Sequence, residues 1–217
     1  MNLHAEALLF DNDGTLVSSM DSVHRCWTRW AREHGIAEED FARVELHGRP
    51  AAEIIAELLP AGARAGALAR IEALEIDDVP GGVVLLPGTK ELLSALPAGR
   101  WAVVTSATRP LAEARLREAG IDFPELVAAE DITRGKPDPE PFLLAAARLG
   151  VDPARCAVFE DAPAGLAAGR AAGMRTVALT TTHTAAELDA DVVVRDLSAV
   201  SVQVSAAGVV IGTDPRP

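Results

Sequence analysis

Positive charge is scarce in this 217-residue sequence, where 20 Lys and Arg stand against 32 Asp and Glu for a formal net charge of −12. Such a surface repels polyanions, which argues against nucleic acid or an anionic membrane as the main partner. If the ligand is itself an anion, its pocket must be made locally positive by a metal and a few placed bases. Cysteine is nearly missing too: Cys26 and Cys156 lie far apart with no ligand spacing around either. Both read as packing thiols in a reducing compartment. No apolar run approaches the ~20 residues that span a bilayer. Residues 1–6 lack the basic start and the apolar length of a signal peptide. The expectation is a cytoplasmic protein with a single domain, or a core domain carrying an insertion.

What is present is organised around one stretch. The apolar run Ala7-Leu8-Leu9-Phe10 stops abruptly at Asp11-Asn12-Asp13-Gly14-Thr15. Four apolar residues in a row suit a parallel strand covered on both faces, and ligands of open α/β sheets sit beyond the carboxyl ends of such strands. Two residues apart on an extended chain, Asp11 and Asp13 can share one face, and Gly14 permits the tight turn that follows. Clustered carboxylates repel each other. A hard cation such as Mg²⁺ between them relieves this and lets one carboxylate face an anionic substrate. The combination points to an aspartate nucleophile for phosphate. Plainer readings compete: Asp-x-Asp-Gly is a common turn sequence, whereas a calcium loop would want glycine sixth and an acid twelfth. Here glycine is fourth and Ser22 is twelfth.

After Leu16 the pattern becomes helical, with Val23, Trp27, Trp30, Ala31 and His34 spaced along one side and Gly35 as a stop. Further helical stretches are expected over 38–44, 51–59 and 63–74, so residues 17–84 read as an all-helical insert. The Trp27 and Trp30 pair reads as its core. Pro80-Gly81-Gly82 and Pro87-Gly88 bracket the exit as possible hinges. From Pro87 onward helix and strand alternate, the signature of a parallel sheet. Trp101-Ala102-Val103-Val104 is expected as a strand ending at Thr105-Ser106-Ala107-Thr108, with a helix over 111–119. Ala157-Val158-Phe159 is expected as a strand ending at Glu160-Asp161. Strands are also expected over 176–179 and 191–194, and a hairpin over 200–211. Gly165, Gly169 and Gly173 read as a helix packed closely on the sheet.

Three strands thus end in chemically useful residues: Asp11 and Asp13, Thr105 and Ser106, Glu160 and Asp161. A parallel sheet would bring these ends together. Before the last of them lies Arg134-Gly135-Lys136-Pro137-Asp138-Pro139, whose prolines are expected to hold the chain extended and present the Lys136 ammonium.

In order and separation these segments resemble the four motifs of the haloacid dehalogenase superfamily of phosphotransferases. Asp11-Asn12-Asp13-Gly14-Thr15 is similar to the first, Thr105 to the second, Lys136 in Gly-Lys-Pro-Asp-Pro-Glu to the third and Glu160-Asp161 to the fourth. The wider context, including Phe159-Glu-Asp-Ala-Pro-Ala-Gly, resembles bacterial sugar phosphatases and glycerol-3-phosphate and 2-deoxyglucose-6-phosphate phosphatases. Asn12 replaces an apolar residue often found there, and Ala107 a frequent glycine.

The resemblance implies an α/β Rossmann-like core over 1–16 and 85–217 and a helical cap domain over 17–84. It implies that Asp11 attacks phosphorus to give an aspartyl-phosphate, while Asp13 protonates the leaving alkoxide and then activates water. Mg²⁺ would be held by the Asp11 side chain, the Asp13 backbone carbonyl and Asp161, with Glu160 behind them or bound through water. Thr105, the neighbouring amides of Ser106 and Ala107, and Lys136 would take the remaining phosphate oxygens. His47, Gly48 and Arg49 are candidates to read the leaving group, and His183 could approach from the next strand end. The expected activity is a Mg²⁺-dependent phosphatase for small sugar or polyol phosphates, needing no protein partner. A sugar phosphomutase of the same superfamily and a non-catalytic phosphometabolite sensor are the alternatives.

Overall fold

The computed structural model describes residues 2–44, 46, 49–206 and 208–213. The chain opens with β1 (Asn2–Ala5), β2 (Ala7–Phe10) and β3 (Val17–Ser18), then runs through α1 (Met20–Glu33), α2 (Glu38–Phe41), α3 (Ala51–Leu58) and α4 (Ala61–Asp77). It returns as β4 (Val84–Leu85) and alternates through α5 (Thr89–Ser94), β5 (Trp101–Val104), α6 (Arg109–Glu118), β6 (Leu126–Val127), α7 (Glu140–Leu149) and β7 (Cys156–Glu160). It finishes with α8 (Pro163–Ala171), β8 (Arg175–Leu179), β9 (Val192–Val194), β10 (Val200–Ser205) and β11 (Gly208–Thr213).

Among the described residues the central sheet has six parallel strands in the order β6-β5-β2-β7-β8-β9. The strand order reverses around β2, so the crevice beyond its carboxyl end is the place such sheets bind ligands. The unbroken apolar run of β2 follows from having both faces covered. Leu8 and Phe10 pack in one cluster with Leu92 of α5 and Leu111 and Leu116 of α6. Ala7 and Leu9 pack in another with Phe142 and Ala145 of α7 and Ala168 of α8. Burying each such leucine or phenylalanine contributes roughly 1.5–3 kcal/mol. Phe10 also stacks on Phe159 of β7, ring centroids 4.8 Å apart.

The chain leaves this core and returns through a two-stranded ribbon, Val17 opposite Leu85 and Ser18 opposite Val84. Between its strands, α1, α3 and α4 close around their own apolar cluster, which includes Trp27, Trp30, Ile54, Ile55 and Ile71. The Trp30 indole N–H donates to the Ala67 carbonyl at 2.8 Å, so the polar edge of this buried ring is satisfied. The expected tail hairpin is present, paired from Val200 opposite Thr213 to Ser205 opposite Gly208. Its β11 also pairs with β1, a strand too short and alternating to stand out before its partner is known.

Four readings of the sequence change, the first being the all-helical insert over 17–84, whose ends at Val17, Ser18 and Val84 are strand. Residues 134–139 turn rather than run extended: the Asp138 N–H donates to the Gly135 carbonyl at 2.9 Å, and the Lys136–Pro137 peptide is cis. Gly173 does not pack on the sheet. With φ +74° and nothing near a would-be Cβ, it is the left-handed residue after α8. Helix α7 and the two-residue β6 were not anticipated. Among the described residues no helix is long and apolar enough to cross a membrane.

Candidate active site

Register places the chemistry. Phe10 lies opposite Val103 on one side and Phe159 on the other, so Asp11, Thr105 and Glu160 leave the sheet at neighbouring strand ends. The Asp11 N–H continues the ladder by donating to the Phe159 carbonyl at 3.0 Å. The turn after it brings Asp161 over Gly14, where an added Cβ would lie 2.0 Å from Asp161 Oδ2. Glycine is required there twice over, because its φ is +93°.

Lys136 carries the local charge balance. Its ammonium donates to Asp11 Oδ1 at 2.6 Å, Glu160 Oε1 at 2.7 Å and the Val104 carbonyl at 3.0 Å, which uses all three of its hydrogens. Burial by itself would lower the lysine's pKa, but Asp11 and Glu160 outweigh it and hold the group above its ordinary value. Asp11 is pushed well above the usual carboxylate range, first by burial and then by Glu160 and Asp161, with Lys136 opposing. Glu160 is fully engaged on its other oxygen as well, accepting the Asp161 and Ala162 N–H groups at 2.9 Å each. Asp161 is held by hydroxyls: Thr15 donates to Oδ1 at 3.2 Å and Thr182 to Oδ2. His183 Nδ1 sits 2.9 Å from the Asp161 carbonyl oxygen, so this histidine braces the loop.

Asp13 faces elsewhere. It accepts from Ser19 Oγ at 2.6 Å, from Asn12 Nδ2 at 3.2 Å and from the Arg115 guanidinium at 3.0 Å. Both aspartates border a cavity of about 430 Å³ between the sheet edge and the helices, within the rough 300–1,000 Å³ span of small-molecule sites. Thr105, Ser106, Ala107 and Thr108 line it from the core side, with Trp27, Arg49, Leu68 and Glu72 across from them. Arg49 therefore does reach the cavity, donating to Glu57 at 3.3 and 2.5 Å. His47 and Gly48 lie outside the described residues. Trp27 is core and also cavity wall.

The residues least visible in the sequence were those that hold the clustered carboxylates: Thr15 and Thr182 on Asp161, Ser19 and Arg115 on Asp13, and Glu75 behind Arg115. A signal existed for two of them. Arg115 occupies the same helical face as Leu111, Ala112 and Leu116, and Glu75 continues the face of Ala67, Ile71 and Leu74, so each is a charge on an apolar stripe.

A haloacid dehalogenase-like hydrolase family model matches residues 5–173. The chain belongs to the haloacid dehalogenase-like hydrolases. Among relatives of this family it is 39% identical over 216 residues to hexitol phosphatase A of Escherichia coli (strain K12), covering 96% of this chain and 99% of that one. It is 41% identical to the validoxylamine A 7'-phosphate phosphatase of Streptomyces hygroscopicus subsp. limoneus, covering 88% and 94%. CbbY from Rhodobacter sphaeroides in complex with phosphate superimposes with a TM-score of 0.77 at 26% identity, covering 89% and 95%. As a haloacid dehalogenase-like hydrolase, the chain has the α/β core expected of that fold.

Proposed function

We propose that this hydrolase is a Mg²⁺-dependent phosphatase of small sugar or polyol phosphates, working through an aspartyl-phosphate on Asp11. The observation that carries the reading is the buried group of Asp11, Lys136, Glu160 and Asp161, of which Asp11 borders a cavity that Asp13 also lines. The relatives named as hexitol and validoxylamine 7'-phosphate phosphatases support the substrate class. So does the cavity wall, where Trp27, Leu68 and Ile71 offer apolar contact and Glu72 an acceptor for hydroxyls.

The residues fit a dication. Ligand oxygens of Asp11, Glu160 and Asp161 all lie within 4.8 Å of one another, and all three side chains are buried. Lys136 contributes one positive charge, paired with Asp11 and Glu160, to a cluster of three carboxylates that includes Asp161, which leaves room for two further positive charges. Asp11, the Asp13 carbonyl and Asp161 would hold Mg²⁺, with Glu160 behind them because both its oxygens already have protein donors. When bound, the ion supplies the positive charge that favours ionised Asp11 and neutralises phosphoryl oxygens.

An Asp11 carboxylate oxygen forms a bond to phosphorus as the ester P–O bond breaks, and the departing alkoxide takes the proton of the Asp13 carboxyl. A water then gives its proton to the Asp13 carboxylate and attacks phosphorus, releasing phosphate and restoring Asp11. Lys136 favours the ionised nucleophile against the effect of burial, and contact with a phosphate oxygen requires exchange of one of its three bonds. The Thr105 hydroxyl and the Ser106 and Ala107 amides line the phosphate end. Residues 17–84 act as a cap over a core of 1–16 and 85–217, with Arg49 on the leaving-group side.

The test is phosphate release from hexitol, hexose and glycerol phosphates. Release is expected with Mg²⁺, lost on chelation, and weak with Ca²⁺, whose larger and looser shell suits the site poorly. No release from any phosphorylated metabolite would overturn the reading. Conversion of a hexose 1-phosphate to its 6-phosphate without free phosphate would make the protein a mutase instead.

A further inference from the structure

The carboxyl of Asp13 must point at the leaving oxygen, yet it belongs to none of the strand ends that fix Asp11 and Asp161. Its support comes from three directions: Asn12 beside it, Ser19 at the start of α1, and Arg115 from α6. Arg115 is the unusual member, a guanidinium 4% exposed within a helical face of leucines and alanine. Taking such a charge out of water is unfavourable unless partners compensate it. Two do: Nη1 meets Asp13 Oδ1 at 3.0 Å and Nη2 meets Glu75 Oε1 at 3.0 Å. Glu75 is itself 6% exposed and sits on α4, in the helical insert. Burial raises the Glu75 pKa and Arg115 opposes the rise. A guanidinium is a rigid planar fork, so fixing one terminal nitrogen aims the other. The chain Glu75–Arg115–Asp13 therefore runs from the insert to the carboxyl that borders the cavity.

We infer that Arg115 is a positioning residue that sets the Asp13 carboxyl against the leaving oxygen, and that Glu75 of the helical insert aims Arg115. The inference rests on the function proposed above. It assigns the helical insert a part in proton transfer, separate from any contact it makes with substrate. A tie serving only to pack α4 against α6 would use the same bonds, so the test must read the proton step and not stability.

Leaving-group dependence reads it. Loss of an alkoxide needs a proton from Asp13, whereas loss of a dinitrophenolate does not, and general acid catalysis is worth about 10²–10⁴-fold where it is needed. The quantity kcat/KM reports steps through the first irreversible one, transfer to Asp11. We would measure it for glycerol and hexitol phosphates, phenyl phosphate and dinitrophenyl phosphate with wild type, Arg115→Met, Glu75→Gln and the double variant Arg115→Met/Glu75→Leu. The double variant removes both buried charges together, so the fold is not left with one unpaired. Arg115→Met is expected to lower kcat/KM for the alkyl esters about tenfold or more beyond its effect on dinitrophenyl phosphate, a modest part of what an acid supplies. The double variant should match it, and Glu75→Gln should shift the same way by less. Dinitrophenyl phosphate should also give a burst of phenolate in these variants, since water activation by Asp13 slows in the second step. Equal losses across the series, or none, in a folded Arg115→Met or double variant would overturn the inference and leave the phosphatase reading standing. A wild type inactive on every ester would instead overturn that reading, and this inference with it.

Discussion

Lys136 shows how a single side chain can make a buried acidic site affordable. Without it, Asp11 and Glu160 would be two carboxylates in low dielectric with no cation between them. With it, one ammonium neutralises one charge and orients both groups. The sequence exposes Lys136 only through its setting among the other motifs, because a lysine between a glycine and a proline has no pattern of its own. The cysteines are the opposite case, where the sequence reading and the structure agree because little geometry is involved. Cys26 and Cys156 are free and buried, and burial pushes each thiol up to about 11. The native state therefore binds these protons more tightly than an unfolded chain with thiols near 8.5, so stability from them is intact below that pH and is lost as pH rises towards 11. At pH 8 neither thiol should react with a disulfide reagent within minutes, while both should react at once in denaturant. Rapid titration of either in the native protein would contradict this burial.

Elements place the site through a glycine that a helix would not otherwise choose. Gly165 lies inside α8, where alanine ordinarily stabilises by about 0.5–1 kcal/mol. Here an added Cβ would sit 1.7 Å from Glu160 Oε1, the oxygen that receives Lys136. Overpacking of this kind costs about 1–3 kcal/mol, so the clash outweighs propensity. Gly165→Ala should lower both the melting temperature and turnover. Gly66→Ala is the control, since nothing lies within 4 Å of a Cβ added at that exposed position of α4. It should raise the melting temperature slightly and leave kcat unchanged. If both substitutions stabilise, Glu160 is not held against α8 as described. The strands were legible because both faces of β2, β5 and β7 are covered and their sequences are unbroken apolar runs. Two-residue β6 and four-residue β1 carry too little pattern to be read before their partners are known. The bend at residues 134–139 was missed because an X-Pro pair reads equally as extended or turn. Here the Asp138 to Gly135 hydrogen bond decides for the turn.

At the scale of the molecule, a chain of net charge −12 gathers three buried carboxylates at the strand ends of its central sheet, and one of them, Asp11, borders a cavity between that edge and the helices. Strand ends and the polar residues at them could be anticipated because a parallel sheet must bring them together. The supports could not, because Arg115 of α6 reaches Asp13 from about a hundred residues away, Glu75 meets Arg115 only once α4 has packed on α6, and Ser19 reaches Asp13 only through the turn between them. His47 and Gly48, expected beside Arg49, lie outside the described residues. The central claim is that Asp11 carries the phosphoryl group. Its most direct measurement is acid quench of a single turnover with radiolabelled hexitol phosphate and Mg²⁺, followed by borohydride reduction of the acyl phosphate and peptide mapping. The account predicts protein-bound label that rises and decays within one turnover, reduction of residue 11 to homoserine, and neither label nor turnover in Asp11→Asn. Phosphate release with no label on the protein, or an Asp11→Asn variant that hydrolyses at near the wild-type rate, would contradict it.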